Sequence, residues 1–175
     1  MLESGRLLLR PVELTDANET YRSWMNDPAV MQYTESRFQT HSLEQIRQYV
    51  LSVQADTSSR FFAIIEKASG KHIGNIKIGH IHPVHRHGDV GIIIGDKASW
   101  GKGYATESLQ LVAGFAGRNL KLHKLTAGIY ANNLGSLQAF LKAGFVLEGR
   151  FASHWFCDGE FVDGLQVGLL LEGSI

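Results

Sequence analysis

VGIIIGDKASWGKGYATE, residues 90–107, carries the strongest structural signal in this chain. Its isoleucine-rich start predicts a strand at Asp89–Gly95. After a loop that contains Gly101 and Gly103, apolar side chains on all sides from Thr106 to about Arg118 predict a helix packed against a sheet. Backbone N–H groups and the positive end of the helix dipole then meet at the loop, where glycine lets an anion approach closely. The stretch predicts an α/β fold with a phosphate-binding loop.

Two familiar kinds of phosphate loop match this sequence poorly, and a loop whose glycines only turn the chain stays open. The loop lacks the Gly-Lys-Ser/Thr of a nucleoside-triphosphate site. A dinucleotide site needs a small residue where Thr106 stands and an acid about 20 positions later, and residues 118–130 contain no acid. Between Glu107 and Glu148 there is no Asp or Glu, which favours a phosphate-rich ligand along this half. The basic residues there are Arg118, Lys121, Lys124 and Lys142.

The chain before this stretch predicts strands and helices in alternation. A strand at residues 6–11 comes first, and Thr15 is the predicted N-cap of a helix that an Asp-Pro pair ends. Residues 42–45 form a capping-box pattern at the start of a second, amphipathic helix. The runs FFAIIE (61–66) and HIGNIKIGHI (72–81), separated by a short glycine-containing loop, predict an antiparallel hairpin.

The chain after this stretch predicts a further strand, a short helix and a closing set of strands. The strand is Lys124–Tyr130, and the helix runs from Asn133 to Lys142 with Gly144 as its terminator. The closing strands are predicted at Phe145–Gly149, Trp155–Cys157 and Glu160–Leu171, the last two joined across Asp158-Gly159. The order of elements indicates a mixed α/β fold without an internal repeat.

Composition and charge restrict the class of protein. The 175 residues suit a single domain, and 44% apolar with 19% charged residues is typical of a globular protein. Because 17 basic residues balance 17 acidic ones, total charge gives no reason to expect a nucleic acid or membrane partner. Cys157 has no second cysteine to pair with, and the start MLESGRLLLR lacks a signal-like apolar run. We therefore expect a cytoplasmic protein.

From about residue 5 to residue 171 the chain resembles the GNAT superfamily of N-acetyltransferases, in the branch of ribosomal-protein N-terminal, spermidine and amino-sugar-nucleotide acetyltransferases. The landmarks are Ile92-Ile93-Ile94, the loop at 100–107, and NNLGSLQAFLKAGF at 132–145, which resembles the family's Asn-x-x-Ser/Ala to Lys-x-Gly-Phe helix. The family's loop usually opens with Gln or Arg where Trp100 stands, so one phosphate contact is in question. The resemblance implies one N-acetyltransferase domain over residues 1–175, with a mixed, mostly antiparallel sheet, splayed central strands and helices on both faces.

The resemblance also implies that acetyl-coenzyme A, the acetyl donor, lies where the two central strands splay apart. The strand backbone then pairs with the pantetheine arm, the glycine loop holds the pyrophosphate, Asn133 hydrogen-bonds the arm, and Lys142 lies nearer the nucleotide. The implied cofactor-binding residues are Ile92, Ile93, Ile94, Gly101, Lys102, Gly103, Tyr104, Ala105, Asn133, Phe140 and Lys142. A plain core strand and a plain helix cap remain the alternatives for the isoleucines and Asn133.

Two residues are implied to be catalytic. An amine must lose a proton before it attacks a thioester, and Asp89 resembles the acid from which many relatives activate the amine. Relatives commonly carry a Tyr that protonates the departing thiolate, and here that position is Phe140. Ser136 lies four residues earlier on the same helix face and is the nearest substitute in sequence. A solvated carboxylate and a helix-start serine are the alternatives.

Four histidines, at 80, 82, 85 and 87, crowd the segment before the central strand. Residues two apart share a strand face, so pairs of them suit a metal, but carboxylate or thiol ligands at suitable spacing are missing and we expect none. The segment is similar to a His-x-x-His-Arg stretch of spermidine acetyltransferases, which places His85 on the substrate side.

The remaining substrate-binding residues are also implied by the resemblance. Trp24 and Asn26 are similar to the family's Trp-x-Asn-Asp-Pro segment beside the acceptor site, and Trp155 lies on the hairpin expected to line the acceptor channel. The chain is thus expected to acetylate a primary amine: a protein N-terminus, a polyamine, an amino sugar or a small xenobiotic amine. The alternative is a module that binds coenzyme A or another phosphate ligand without turnover. A homodimer is left open.

Overall fold

The computed structural model describes residues 1–171. The strands are β1 Leu2–Glu3, β2 Leu7–Pro11, β3 Arg60–Glu66, β4 Lys71–His82, β5 His87–Ile94, β6 Lys124–Tyr130, β7 Val146–Cys157 and β8 Glu160–Leu170. The helices are α1 Glu19–Met25, α2 Pro28–Met31, α3 Leu43–Ala55, α4 Tyr104–Arg118 and α5 Leu134–Lys142. Short 3-10 helices lie at Leu14–Asp16, Glu35–Phe38 and Lys97–Ser99. None of the helices within 1–171 is both long enough and apolar enough to cross a bilayer.

The strands form one eight-stranded mixed sheet in the order β1-β2-β3-β4-β5-β6-β8-β7. All neighbouring pairs are antiparallel except β5 and β6, which run parallel. This pair is joined only between His87–Asp89 and Lys124–Thr126. The rest of β5 continues without pairing to β6, so the predicted splay of the two central strands is confirmed.

Helices cover both faces of the sheet, as predicted. Because strand side chains alternate between the two faces, the same strand contributes apolar residues to the helices on each side. On β3, Phe62 and Ile64 belong to the larger core cluster, which includes α4 and α5. Ala63 between them belongs to a second cluster with Tyr21 of α1 and Val50 of α3. The helices α4 and α5 therefore pack on one face of the sheet, and α1 and α3 pack on the other.

The helix starts follow side-chain caps, and one predicted cap is wrong. Ser42 and Gln45 form the predicted capping box at α3, and Asn133 caps α5. The first helix is capped by Asn18 rather than Thr15, because Asn18 accepts hydrogen bonds from two backbone N–H groups of the first turn. Thr15 instead lies in the 3-10 turn that precedes this helix.

The closing hairpin is also simpler than predicted. Residues 146–149 and 155–157 belong to one strand, β7, which begins one residue after the predicted start at Phe145 and whose pairing with β8 shifts register between Phe151 and Trp155. Ser153 takes a φ of 45° there, and its N–H donates to the Asp163 carboxylate at 2.8 Å. This bulge lets one strand continue through the segment between residues 149 and 155, where the sequence pattern predicted that one strand ends and another begins. The predicted turn at Asp158-Gly159 is confirmed.

Candidate functional site

A cavity of about 1060 Å³ opens where β5 and β6 diverge. One side is lined by the part of β5 that does not pair with β6, by the following loop and by the start of α4. Another side is lined by α5. Of the residues implied by the resemblance, the lining contains Ile92, Ile93, Ile94, Gly101, Gly103, Tyr104, Ala105, Asn133, Ser136, Phe140 and Lys142. The fold thus gathers residues from three separate segments around one space.

The loop between β5 and α4 leaves backbone exposed toward this space. Gly101 and Gly103 have φ of 73° and 80°, in the left-handed region where a side chain is strained. Gly103 is the N-cap of α4 and supplies no capping side chain, so the first N–H groups of the helix have no partner from it. A Cβ at Gly101 would meet nothing within 4 Å. Backbone donors at a helix start with free space in front suit a phosphate group.

Arg6 supports this loop from the distant amino-terminal strand. Its Nη1 donates to the Lys102 carbonyl at 2.9 Å, and its Nε donates to Glu107 Oε2 at 2.8 Å. The guanidinium also lies 4.9 Å from the centre of the Tyr104 ring. Burial alone would raise the pKa of Glu107, but hydrogen bonds from Ser4 and Arg6 outweigh it and lower that pKa. An ionised Glu107 therefore holds Arg6 against the loop across the neutral pH range. Lys102 itself is not part of the cavity lining.

Trp100, where relatives usually have Gln or Arg, fixes the beginning of the loop. Its indole Nε1 donates to the Ile94 carbonyl at 2.7 Å, which ties the loop to the last residue of β5. The ring is 45% exposed and lines the cavity. Trp100 thus hydrogen-bonds within the protein, where a Gln or Arg would offer a polar side chain to a ligand. The backbone N–H groups of the loop do not depend on which side chain stands at this position.

The start of α5 places Ser136, the implied proton donor, in the cavity lining. Asn133 Oδ1 accepts from the Ser136 N–H at 3.2 Å, so Asn133 is occupied as a cap while it also lines the cavity. Ser136 and Phe140 both line the cavity, as their spacing on one helix face predicts. Phe140 is buried and packs edge-on against Phe145, with ring centres 5.0 Å apart.

Asp89 lies close to the cavity but is not part of its lining. Asp89 is the third residue of β5, and its Oδ1 is 2.6 Å from Nδ1 of His80 on β4. His80 takes a φ of 48° at the irregularity in the β4–β5 pairing. Asp89 shares a face of β5 with Gly91, two residues on, which does line the cavity. A water molecule would be needed to connect the carboxylate with a group bound in the cavity.

The four residues implied for substrate binding fall outside the lining. Trp24 is buried in the second core cluster, with its ring 5.0 Å from that of His72. The Asn26 side chain joins the end of α1 to His41: its Nδ2 donates to the His41 carbonyl and its Oδ1 accepts from the His41 N–H. His85 belongs to an exposed stack of three histidine rings. Trp155 stacks at 4.4 Å on Tyr130, which lines the cavity. Within the described residues, no cluster of three or more His, Cys, Asp or Glu is arranged to hold a metal.

A network around Tyr130 at the end of β6 closes one side of the cavity and was not predicted. The Tyr130 hydroxyl donates to Glu35 Oε1 at 2.5 Å and accepts from Arg37 Nη1 at 3.0 Å. Burial and the bond to Glu35 raise the pKa of this hydroxyl. Arg37 also donates to the Phe156 carbonyl at 2.5 Å. The position of a Tyr at the end of a splayed strand is the one sequence signal that could have indicated it.

A second group of unpredicted residues lines the cavity on the face of α1 and α3. We call the part lined by Tyr21, Tyr49, Phe61, Asn75 and Lys77 the acceptor pocket. These residues come from two helices and two strands, so no local motif marks them. Most of their surface is aromatic, with one amide and one ammonium group.

Comparisons with known proteins agree with this geometry. A family model described as an acetyltransferase (GNAT) domain matches residues 6–146. A probable N-acetyltransferase of Bacillus subtilis strain 168, YjcK, is 30% identical over 97% of each chain. A crystal structure of spermidine N-acetyltransferase from Vibrio cholerae in complex with CoA and spermine has a TM-score of 0.87 at 23% identity, covering 98% of this chain and 99% of that chain. A dodecameric structure of spermidine N-acetyltransferase from the same species has a TM-score of 0.80 at 21% identity, over 96% and 95% of the two chains.

Proposed function

Because this chain belongs to the GNAT acetyltransferase family and is an N-acetyltransferase that uses acetyl-coenzyme A, we propose that it transfers the acetyl group to a primary amine bound in the acceptor pocket. The observation that carries the proposal is the open edge of β5, which ends in a glycine loop at a helix start and faces the acceptor pocket across one cavity. A donor and an acceptor can therefore meet without either crossing the sheet.

The residues present fit coenzyme A. The backbone from Val90 to Ile94 pairs with β4 on one edge and not with β6 on the other, so its open edge offers hydrogen bonds to an extended amide-containing arm. The loop of Gly101 and Gly103 offers N–H groups to a pyrophosphate. Lys142 contributes a positive charge to the same cavity. When bound, acetyl-coenzyme A supplies the thioester carbonyl carbon that the amine attacks.

In the proposed reaction a nitrogen–carbon bond forms and the carbon–sulfur bond of the thioester breaks. The amine nitrogen gives up a proton, and we assign its transfer to Asp89 through water, with His80 holding the carboxylate in place. The departing thiolate takes up a proton, for which Ser136 is the nearest hydroxyl on the α5 wall in place of the missing Tyr at Phe140. A thiol has a pKa near 8.5, so the thiolate is a tolerable leaving group even with a weak donor.

Three further features belong to the same proposal. The described residues act as one catalytic unit. The compartment we propose is the cytoplasm, since Cys157 is the chain's one cysteine and is buried as a free thiol.

We propose a homodimer, because Phe151, Phe156 and Phe161 leave about half or more of their surface exposed on the β7–β8 hairpin. Light scattering on the purified chain would distinguish a dimer from a monomer or a larger assembly.

The proposed function is tested by release of free thiol from acetyl-coenzyme A in the presence of a panel of amines. We expect thiol release that depends on the amine, together with a product heavier by one acetyl group. Coenzyme A binding with no amine-dependent release from any acceptor in the panel would contradict the proposal and favour a binding module without turnover. Boiled protein and chemical acetylation without protein are the controls.

A further inference from the structure

The charges around the acceptor pocket point to the class of acceptor. We propose, on the basis of the proposed function, that the acceptor carries one ammonium group on an apolar or anionic body, and that polyamines are poor acceptors because Lys77 occupies the place of a second cation.

Lys77 lines the acceptor pocket. On β4 it is opposite Phe61 of β3 on one side and opposite Gly91 of β5 on the other. Gly91 has no side chain to cover it, and a Cβ there would meet nothing within 4 Å. The Lys77 Nζ donates to the Tyr49 hydroxyl at 3.2 Å and lies 5.5 Å from the centre of that ring. These contacts hold a positive charge beside the splay of the two central strands.

Within the described residues, no carboxylate oxygen forms an ion pair with Lys77. Hydrogen bonds from Ser59 and Ser58, with a smaller contribution from the Lys77 charge, lower the pKa of Asp56 to about 2. The Asp56 oxygens are thus already occupied by two serine hydroxyls. Asp89 lies near Lys77, since a Cβ at Gly79 would be 3.5 Å from Lys77 Cε and 3.6 Å from Asp89 Oδ1, but its Oδ1 is 2.6 Å from His80 Nδ1. Lys77 therefore presents an ammonium group to the pocket with no carboxylate in direct contact among the described residues.

A polyamine needs carboxylates for its additional ammonium groups, and the cavity does not offer them. Among the described residues that line the cavity there is no Asp or Glu. Two carboxylates are hydrogen-bonded to lining residues but are not part of the lining: Glu35 accepts from Tyr130, and Asp158 accepts from Gln32 at 2.9 Å. An unpaired ammonium removed from water is strongly disfavoured.

The repulsion from Lys77 is large enough to decide selectivity. Two unit charges about 7 Å apart in an effective dielectric constant near 20 repel by an energy worth roughly 50-fold in an equilibrium constant. Salt and solvent reduce this, so a discrimination of roughly 10-fold or more is expected. The same charge favours the neutral form of the reacting amine, which is the form that attacks. An anionic group on the acceptor is attracted instead, and an apolar body suits Tyr21, Tyr49 and Phe61.

The test compares three acceptors of one chain length in the thiol-release assay: 4-aminobutyrate, butylamine and 1,4-diaminobutane. We expect kcat/KM of the diamine, divided by two for its equivalent amines, to be at least about 10-fold below that of butylamine, and 4-aminobutyrate to equal or exceed butylamine. Spermidine is expected to be poorer still, and 2-phenylethylamine better than butylamine. The difference should shrink as salt is raised.

Variants at Lys77 separate its charge from its packing. Lys77→Gln should raise the kcat/KM of diaminobutane relative to butylamine by roughly 10-fold, whereas Lys77→Arg should keep the wild-type ratio. The matched control is Lys67→Gln, which removes an equal charge from a surface pair with Glu3. A ratio that changes equally in Lys67→Gln, or in neither glutamine variant, would remove Lys77 from selectivity.

The two proposals fail in different ways. Turnover of the diamine or spermidine at or above that of butylamine, in a working enzyme, would overturn the selectivity proposal and leave the acetyltransfer intact. If no amine is turned over, the proposed function fails, and calorimetric titration of the same amines into the coenzyme A complex then tests the pocket. Tighter binding of butylamine than of diaminobutane would support the inference there, and the reverse order would refute it.

Discussion

Replacing Gly103 by valine tests whether the loop before α4 holds the pyrophosphate. Gly103 has a φ of 80°, and a Cβ there would lie 3.6 Å from Arg6 Nη2, an ordinary contact. The new side chain is therefore strained by the backbone rather than by crowding, at a cost of about 1–2 kcal/mol. It also covers the backbone donors that a phosphate would approach.

The size of the effect can be worked out for a ligand at 100 times its Kd. Such a ligand stabilises the native state by about 2.7 kcal/mol. For a chain of this length that raises Tm by roughly 5–11 °C. Losing one hydrogen bond to a charged group weakens binding by about 1.5–3 kcal/mol, or roughly 10- to 150-fold. A 100-fold loss leaves the ligand at its Kd, with a stabilisation of about 0.4 kcal/mol and a shift near 1 °C.

The assay is differential scanning calorimetry with and without coenzyme A, supported by isothermal titration. Gly70→Val is the matched control, because Gly70 has a φ of 67° in the β3–β4 turn and open space around it. Both variants should lose similar stability without ligand, and only Gly103→Val should lose the ligand-induced shift. An undiminished rise in Tm on addition of coenzyme A to Gly103→Val would refute the proposed pyrophosphate site at this loop.

Three further predictions follow from the site and the core. Asp89→Asn should lower kcat/KM most on the acidic side of the pH profile, where unprotonated amine is scarce, and an unchanged profile would leave Asp89 a structural residue. Ser136→Ala should lower kcat by no more than about 10²- to 10⁴-fold with acetyl-coenzyme A binding nearly intact, while Phe140→Tyr should be neutral or raise kcat; steady-state kinetics with full activity in Ser136→Ala would exclude the serine. Burial alone would raise the pKa of Asp16, but hydrogen bonds from Arg10 and the Glu13 N–H outweigh it and lower that pKa, so its stabilisation is present above about pH 4 and is lost as pH falls through the lowered value. Asp16→Asn should therefore lower the free energy of unfolding, measured with urea at pH 7, by about 3 kcal/mol. The difference in this free energy from the wild type should narrow as pH falls below about 4, and a difference independent of pH would contradict the ion pair with Arg10.

Features set by neighbours in sequence were predictable. The strand, glycine loop and helix of residues 90–118, the capping box at Ser42 and the cap at Asn133 all depend on backbone geometry within a few residues. The same holds for the turn at Asp158-Gly159, whose type follows from two residues. Thr15 failed as a cap because two good cap residues stand three positions apart, and packing of α1 selects Asn18.

The surroundings of the site depended on residues far apart in the chain. Arg6 meets Glu107 across 101 positions, Tyr130 meets Glu35 across 95, and Lys77 meets Tyr49 across 28. Side-chain identity alone does not say which of many charged and aromatic residues will be brought together. By itself the sequence determined the α/β class and the glycine loop before α4, because local backbone preferences specify them. Only the tertiary structure decided what faces the acceptor, because the sheet order brings Phe61, Lys77 and Gly91 into one row beside the splayed strands.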